Sequence, residues 1–454
     1  MRLYPPDPEV KLYETFFGED DPFNRIATSK ALSDLVERIE DPLVIALDGQ
    51  WGSGKTYFLK RWVGSHTFEN KGTATTVYFD AFAHDFLDDP LVAMTGAIGE
   101  RIAPTDNKLA WKKVRGAVAK LAKPLGRVGL AVATSGISEV AAPMVDAALK
   151  AGSEELERAA DDFWRKEDGK RAAMQQLRES LISLTHPTEG EGAQAKPLVV
   201  VIDELDRCRP DYALSLLETI KHFFSIPNIH FVLGVNLDAL EHSVRARYGA
   251  SFDAERYLRR FISLPMTLPT LEEGHRPKPL ALVYLQKTGR KMGLPNKSLE
   301  LLDQQMALVA TANSFTMRDM NGLLSGLALM SVSDFENKLF GWQFITISML
   351  IFKHLRPDLT RKVLDGSYRL DDILEFYGIE PEMTNQDERE KYKHEAMLVS
   401  LLWEFILSNG ARPEDDGQIA KLFDRWGDRE GTSWIPRKVH DEVLNRFSFP
   451  TSPP

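Results

Sequence analysis

Gly49-Gln50-Trp51-Gly52-Ser53-Gly54-Lys55-Thr56 sets glycines, a lysine and a hydroxyl at the spacing G-x-x-x-x-G-K-[ST]. That spacing suits a phosphate chain. The glycines let successive backbone N–H groups turn inward on an anion, and a helix opening at the lysine adds the positive end of its dipole. Lys55 then reaches the β- and γ-phosphate oxygens, and the Thr56 hydroxyl can ligate Mg²⁺. Tyr57, next in the chain, is grouped with these binding residues. By average residue usage the fixed positions coincide by chance in about 1–2% of chains this long.

A second constellation closes an apolar run. Leu198-Val199-Val200-Val201-Ile202 reads as a buried strand that delivers Asp203 and Glu204 at its end. Beside a bound triphosphate, Asp203 would hold Mg²⁺ and Glu204 would polarise the attacking water. Alone, the same run could be a strand ending in a solvated acidic turn. Asp206 and Arg207, just beyond, read either as a mutual surface ion pair or as residues at a subunit interface.

The surrounding pattern supplies elements to position these groups. Leu43–Leu47 reads as a strand, residues from Thr56 as a helix, Thr75–Phe79 as a second strand, and Pro90–Ile102 as a helix with proline in its first turn. After Leu198–Ile202 come a helix over Asp211–Phe224, a strand over Ile229–Val235, a helix over Leu237–Tyr248 and a fifth strand over Phe261–Pro265. Strands alternating with helices predict an α/β fold, a parallel sheet with helices on both faces. Residues 1–104 and 197–269 form this core. The stretch 105–196, rich in Ala, Lys, Arg and Glu, reads as a helical insertion. Everything after Pro269 reads as helical, with divisions at 270–380 and 381–454 and a disordered tail. Gly341–Phe352 is a buried helix, too short to span a bilayer. Trp111, Trp164, Trp342 and Trp403 lie on apolar helical faces and read as packing residues.

Composition narrows the chemistry. The net charge of −10 gives no global basic field, so nucleic acid is a possible partner that charge does not indicate. Cys208 is the one cysteine, which excludes an internal disulfide and fits a reducing, cytoplasmic setting. The ten histidines fall at no metal-ligand spacing. Neither a leader segment nor a membrane span is evident.

The sequence resembles the KAP-type P-loop ATPases. Gly49–Thr56 resembles the family's G-x-W-G-S-G-K-[ST] loop. Phe79-Asp80-Ala81-Phe82 resembles its F-N-A-W strand end, with Asp for Asn and Phe for Trp. Val200–Cys208 resembles its extended acidic motif, and Tyr257-Leu258-Arg259-Arg260-Phe261 its Y-L-x-K-[IF] segment, with Arg260 for Lys. The resemblance implies a P-loop NTPase of the ASCE, AAA-like type with a helical lid over 270–380. It implies Asn236 as a polar sensor, where the alternative is a turn-capping Asn. It implies Arg318, in a helix opened by Thr316 and Asp319, as a sensor reaching from the lid, where the alternative is a solvated Arg. Arg259 or Arg260 would be an arginine finger toward a neighbouring subunit, or a solvated charge pair. Asp21–Arg25 would line the adenine. Many members carry membrane helices between the two nucleotide motifs; here the insertion is not apolar enough, and a soluble or peripherally docked insertion is expected.

The expected activity is Mg²⁺-dependent ATP hydrolysis that drives conformational change or assembly. No N-K-x-D segment favours guanine. The resemblance implies a place in bacterial phage and plasmid exclusion, with homo-oligomers or defence-system proteins as partners. The alternative is an ATP-gated signalling scaffold with little turnover.

Overall fold

The computed structural model describes residues 2–5, 10–18, 21–102 (22, 24 and 88 apart), 175–183, 196–379 (224–225 and 273–276 apart), 386–410, 418–423 and 431–445, with single positions 112, 172 and 185. Five parallel strands, β1 (Val44–Asp48), β2 (Thr75–Asp80), β3 (Leu198–Asp203), β4 (Ile229–Val235) and β5 (Leu264–Thr267), pair in the order β2-β3-β4-β1-β5. The chain leaves β1, crosses two positions to build β2 at the edge, and returns through β3 and β4. The carboxyl ends of β1, β3 and β4 therefore meet where the order switches, the crevice in which parallel α/β sheets bind ligands. Register aligns Asp80 with Asp203, Asp203 with Gly234, and Asp48 with Val235.

β1, β3 and β4 are apolar on both sides because helices cover both faces. Ile45, Leu47, Val199, Val201 and Val232 point into one core with Leu32 and Val36 of α1 (Ile26–Arg38) and Phe58, Leu59 and Trp62 of α2 (Lys55–Phe68). The alternate residues Val44, Ala46, Val200, Ile202, Phe231 and Leu233 point into the other, beneath helices Pro90–Ile102, Pro210–Lys221 and Leu237–Tyr248. The outer edge of β2 is occupied by side chains. The Tyr78 amide donates to the Tyr13 hydroxyl at 2.9 Å, and Arg101 Nε donates to the Thr76 carbonyl at 3.2 Å.

The fifth strand lies three residues later than its apolar pattern predicts. Phe261 is buried in a turn after helix Ala254–Leu258, packed in the sheet's core, and β5 itself is an exposed edge strand in which Pro265 is tolerated. The apolarity that reads as a strand belongs to the turn.

The helices after Pro269 share one apolar core. Leu285, Leu302, Leu323 and Ile351 pack with Tyr377, Trp403 and Val439 in a single cluster. Helix Phe340–Leu355 is buried over Phe344–Phe352 and runs through its middle. Trp403 is fully buried, and Trp342 packs at a tilt against Trp434 and donates to the Phe423 carbonyl at 3.1 Å, both as packing residues. Trp111, Trp164 and most of the insertion lie outside the described residues; within 175–183, Leu177 and Leu181 join the sheet's core. Among the described residues no helix is long and apolar enough to cross a membrane.

Candidate functional site

The loop between β1 and α2 is built to be filled by an anion. Gly52 and Gly54 adopt φ of +88° and +90°, the left-handed region that side chains disfavour. Gly54 caps α2, so the helix opens at Lys55 with its first amides facing the loop. Lys55 is buried, and its ammonium donates to the carbonyls of Gly49 and Gln50, the latter at 3.1 Å. Burial lowers its pKa, opposed by the nearby Asp206, Asp203 and Asp48 carboxylates. A lysine satisfied only by backbone carbonyls in a nest of amides is a cation awaiting a stronger anion.

β3 delivers its two acids opposite that lysine. Asp203 is buried; its carboxylate accepts from the Tyr78 hydroxyl at 2.7 Å and from the Glu204 amide at 3.0 Å. Burial raises its pKa to about 6 in spite of hydrogen bonds from Tyr78 and Thr56. Glu204 ends the strand at φ +59°, a turn that costs a non-glycine residue ~1 kcal/mol and starts the short 3₁₀ segment Leu205–Arg207. Its carboxylate lies 3.5 Å from the Thr56 hydroxyl and pairs with Arg207 at 2.7 Å. Thr56 thus touches both acids.

This donor set fits a hard divalent cation. It is all oxygen, and the buried Asp203 carboxylate is stabilised in its charged form by any cation beside Thr56. Among the described residues no group of three or more His, Cys, Asp or Glu could hold a metal unaided. Mg²⁺ characteristically takes one or two protein oxygens and completes its octahedron with phosphate and water.

The helical body closes the far wall. Helix Met317–Leu329 opens with a capping box between Thr316 and Asp319, and its Met317 amide donates to the Gly52 carbonyl at 2.9 Å. The approach is so close that a Cβ on Gly52 would sit 2.7 Å from Arg318 Cβ and 3.0 Å from Thr316 Oγ1. The resulting cleft, of about 300 Å³, is lined by Trp51, Lys55, Thr56, Asp203, Glu204 and Arg318 together with Gly52, Gly54, Asp206, Arg207, Gly234, Met317 and Asn321.

The sequence-derived residues distribute unevenly. The loop, both acids and Arg318 converge. Asn236 sits at the end of β4, where its Oδ1 accepts from the Ala239 amide at 3.3 Å as a helix cap, and it is not among the cleft-lining residues. Arg260 is exposed in the turn before β5 and is not among the cleft-lining residues, while Arg259 pairs with Glu255. Tyr57 turns from the cleft and donates to Asp21 at 3.3 Å. Asp21 also accepts from the Arg25 amide at 2.6 Å, and Phe23 stacks on Tyr284, whose hydroxyl donates to Asn321 at 2.6 Å. Phe23 is therefore joined to the cleft wall through Tyr284 and Asn321, while none of Asp21, Phe23 and Arg25 is itself among the cleft-lining residues. Asp206 and Arg207 do not pair with each other: Asp206 accepts from the Trp51 indole and Arg207 takes Glu204. The 3₁₀ turn points their side chains to different partners. Asp80, in place of Asn, caps the next helix by accepting from the Ala83 amide at 2.9 Å, a role either residue fills.

Sequence reasoning missed Tyr78 and Gly234. Alternation along β2 puts Tyr78 opposite in facing to Phe79, which was a signal; that it reaches Asp203 depends on strand order. Gly234 has no signal along the chain: a Cβ there would lie 2.4 Å from Asp203 Oδ1 and 2.6 Å from Leu59 Cδ1.

Residues 25–331 match the model described as the KAP family P-loop domain. No curated protein matches the sequence. Among solved structures, the Aeropyrum pernix ORC2 protein in its ADPNP–ADP complexes is similar at 12% identity and TM-score 0.34, over 92% of this chain and 95% of that one. Its ADP form is similar at 13% and 0.35, over 92% and 85%. The Aeropyrum pernix ORC1 protein in complex with DNA is similar at 12% and 0.33, over 94% and 95%. Likeness at that level bears on neither ligand nor activity.

Proposed function

Because the chain belongs to the KAP family of P-loop domains, we propose that it binds Mg²⁺·ATP in this cleft and hydrolyses it. The observation that carries the reading is the meeting of Lys55 and Thr56 with Asp203 and Glu204 in one cleft. Lys55 and the loop amides would grip the terminal phosphates. Thr56 and Asp203 would hold Mg²⁺, which when bound supplies charge neutralisation to the phosphates. Glu204 would take the proton of the attacking water, and Arg318 would approach the phosphates from the helical body. Arg260, exposed and without an ion-pair partner among the described residues, suits an arginine finger donated to a neighbouring copy. Residues 1–104 and 197–269 are read as the nucleotide core, 270–380 as its lid, and 381–454 as a C-terminal helical region, whose Val399, Leu402 and Trp403 share the lid's core.

The test is steady-state hydrolysis and ATP binding in wild type, Lys55→Ala and Glu204→Gln. Lys55→Ala should lose binding; Glu204→Gln should keep binding and lose nearly all turnover. Unchanged binding in Lys55→Ala sinks the reading. A second reading, an ATP-gated scaffold with slow turnover, is favoured by one observation: Arg207 engages the Glu204 carboxylate. Under it, wild type itself shows little turnover to lose. Sizing with and without ATP tests assembly. The cellular setting we infer from the family resemblance is phage or plasmid exclusion, tested by plaquing efficiency on cells carrying wild type or Lys55→Ala.

A further inference from the structure

We propose that Arg207 is a positioning residue that holds Glu204 idle until a terminal phosphate takes the guanidinium from it. The inference rests on the nucleotide-binding reading above but assigns a role that reading lacks. Arg207 Nη1 lies 2.7 Å from Glu204 Oε1, with side chains 34% and 17% exposed, and both residues line the cleft that holds Lys55 and Arg318. A carboxylate oxygen engaged by a guanidinium is not free to orient a water in the cleft. The pair is also held in place from two sides. Glu204 is set by its φ of +59°, and the turn carrying Arg207 is tied to the phosphate loop by the Trp51 indole on Asp206. The guanidinium is thus kept within the same cleft as the loop, where a phosphate offers the other bidentate anion that arginine favours.

Exchange of partners gives the site a reason to distinguish triphosphate from diphosphate. Only a nucleotide long enough to reach Arg207 breaks the pair and frees Glu204. A nucleotide that stops short leaves both residues as they are.

The test is a double-substitution cycle on binding alone, with the β,γ-imido analogue of ATP and with ADP as probes. Glu204→Gln removes the competing carboxylate, so the analogue should bind about two- to fivefold tighter while ADP is unchanged, the size expected of one partly exposed ion pair. In the Arg207→Gln background the same Glu204→Gln change should have no effect on either ligand. Simple repulsion between Glu204 and phosphate predicts tightening in both backgrounds, and a purely structural ion pair predicts equal effects on ADP and the analogue; either result overturns the proposal. Arg207→Lys should restore part of the coupling. Normal analogue binding by Lys55→Ala would instead strike the nucleotide-binding reading itself.

Discussion

Replacing Gly234 by alanine puts a methyl group where the site has no room. The new Cβ would lie 2.4 Å from Asp203 Oδ1 and 2.6 Å from Leu59 Cδ1, about 1 Å inside ordinary contact on both sides. Gly234 cannot retreat, because β4 is held between Leu47 of β1 and Asp203 of β3 in register. Leu59 is fully buried under the sheet. The carboxylate is the member that yields. Overpacking of this kind costs about 1–3 kcal/mol. Rotating Asp203 also sacrifices its hydrogen bonds to Tyr78 and Thr56, each worth roughly 1.5–3 kcal/mol to a charged acceptor. These overlap, so the loss of folding stability should be on the order of 3 kcal/mol. Calorimetric titration of ATP with and without Mg²⁺ separates the parts. The Mg²⁺-dependent gain should vanish, while Mg²⁺-free binding through Lys55 persists. A variant with wild-type Mg²⁺·ATP affinity and melting temperature would refute the placement of Asp203.

Other perturbations probe other contacts. Gly52→Ala and Gly54→Ala share the left-handed backbone strain, about 1–2 kcal/mol, but only at Gly52 does the methyl meet Thr316 and Arg318. Gly52→Ala should therefore weaken ATP binding at least several-fold more than Gly54→Ala and raise protease cleavage at 313–316; equal effects refute the docking of the lid. Tyr78→Phe leaves the buried Asp203 one partner short and moves its carboxyl further above about 6. Mg²⁺ titrations should show a loss of roughly three- to tenfold, greater at pH 6 than at pH 8, since protons then compete for the carboxylate. His230, buried in β4, is lowered to about 4 by burial, with Glu37 and the Ile39 carbonyl opposing. Between about 4 and the unfolded value near 6.5 the unfolded chain binds more protons, so stability rises with pH across that window. His230→Asn keeps an acceptor for the Leu43 amide but cannot titrate. Denaturation at pH 4.5 and 7.5 should show the difference between the two shrink by ~2 kcal/mol relative to wild type; an unchanged difference refutes the assignment.

Legibility in the sequence follows the range of the interactions. The phosphate loop and the acid pair were readable because their chemistry is spelled out by neighbours in the chain, each set against a strand of unbroken apolarity. Ile229–Val235 and Pro90–Ile102 were readable to the residue because burial on a two-sided sheet and a proline in the first turn mark them locally. β5 was displaced because Phe261 is apolar for the sake of a buried turn. Asp206 and Arg207 read from the chain either as a mutual ion pair or as interface residues; the mutual pair does not form, because the turn that starts at the positive φ of Glu204 gives each a different partner. Tyr78 and Gly234 act across strands, and only the order β2-β3-β4 brings them to Asp203. Asn236 reads as a sensor or as a cap from one dimension, and its visible partner is the Ala239 amide.

The hydrogen bond from Met317 to Gly52 makes one peptide of the phosphate loop common property of two bodies. A chain cut short before Thr316 would retain every residue of the loop yet lose the donor that steadies one of its carbonyls and the side chains that wall its bend. Measurements on such a fragment would describe a different loop. Grip on the phosphate and posture of the helices above it are not independent variables in this molecule.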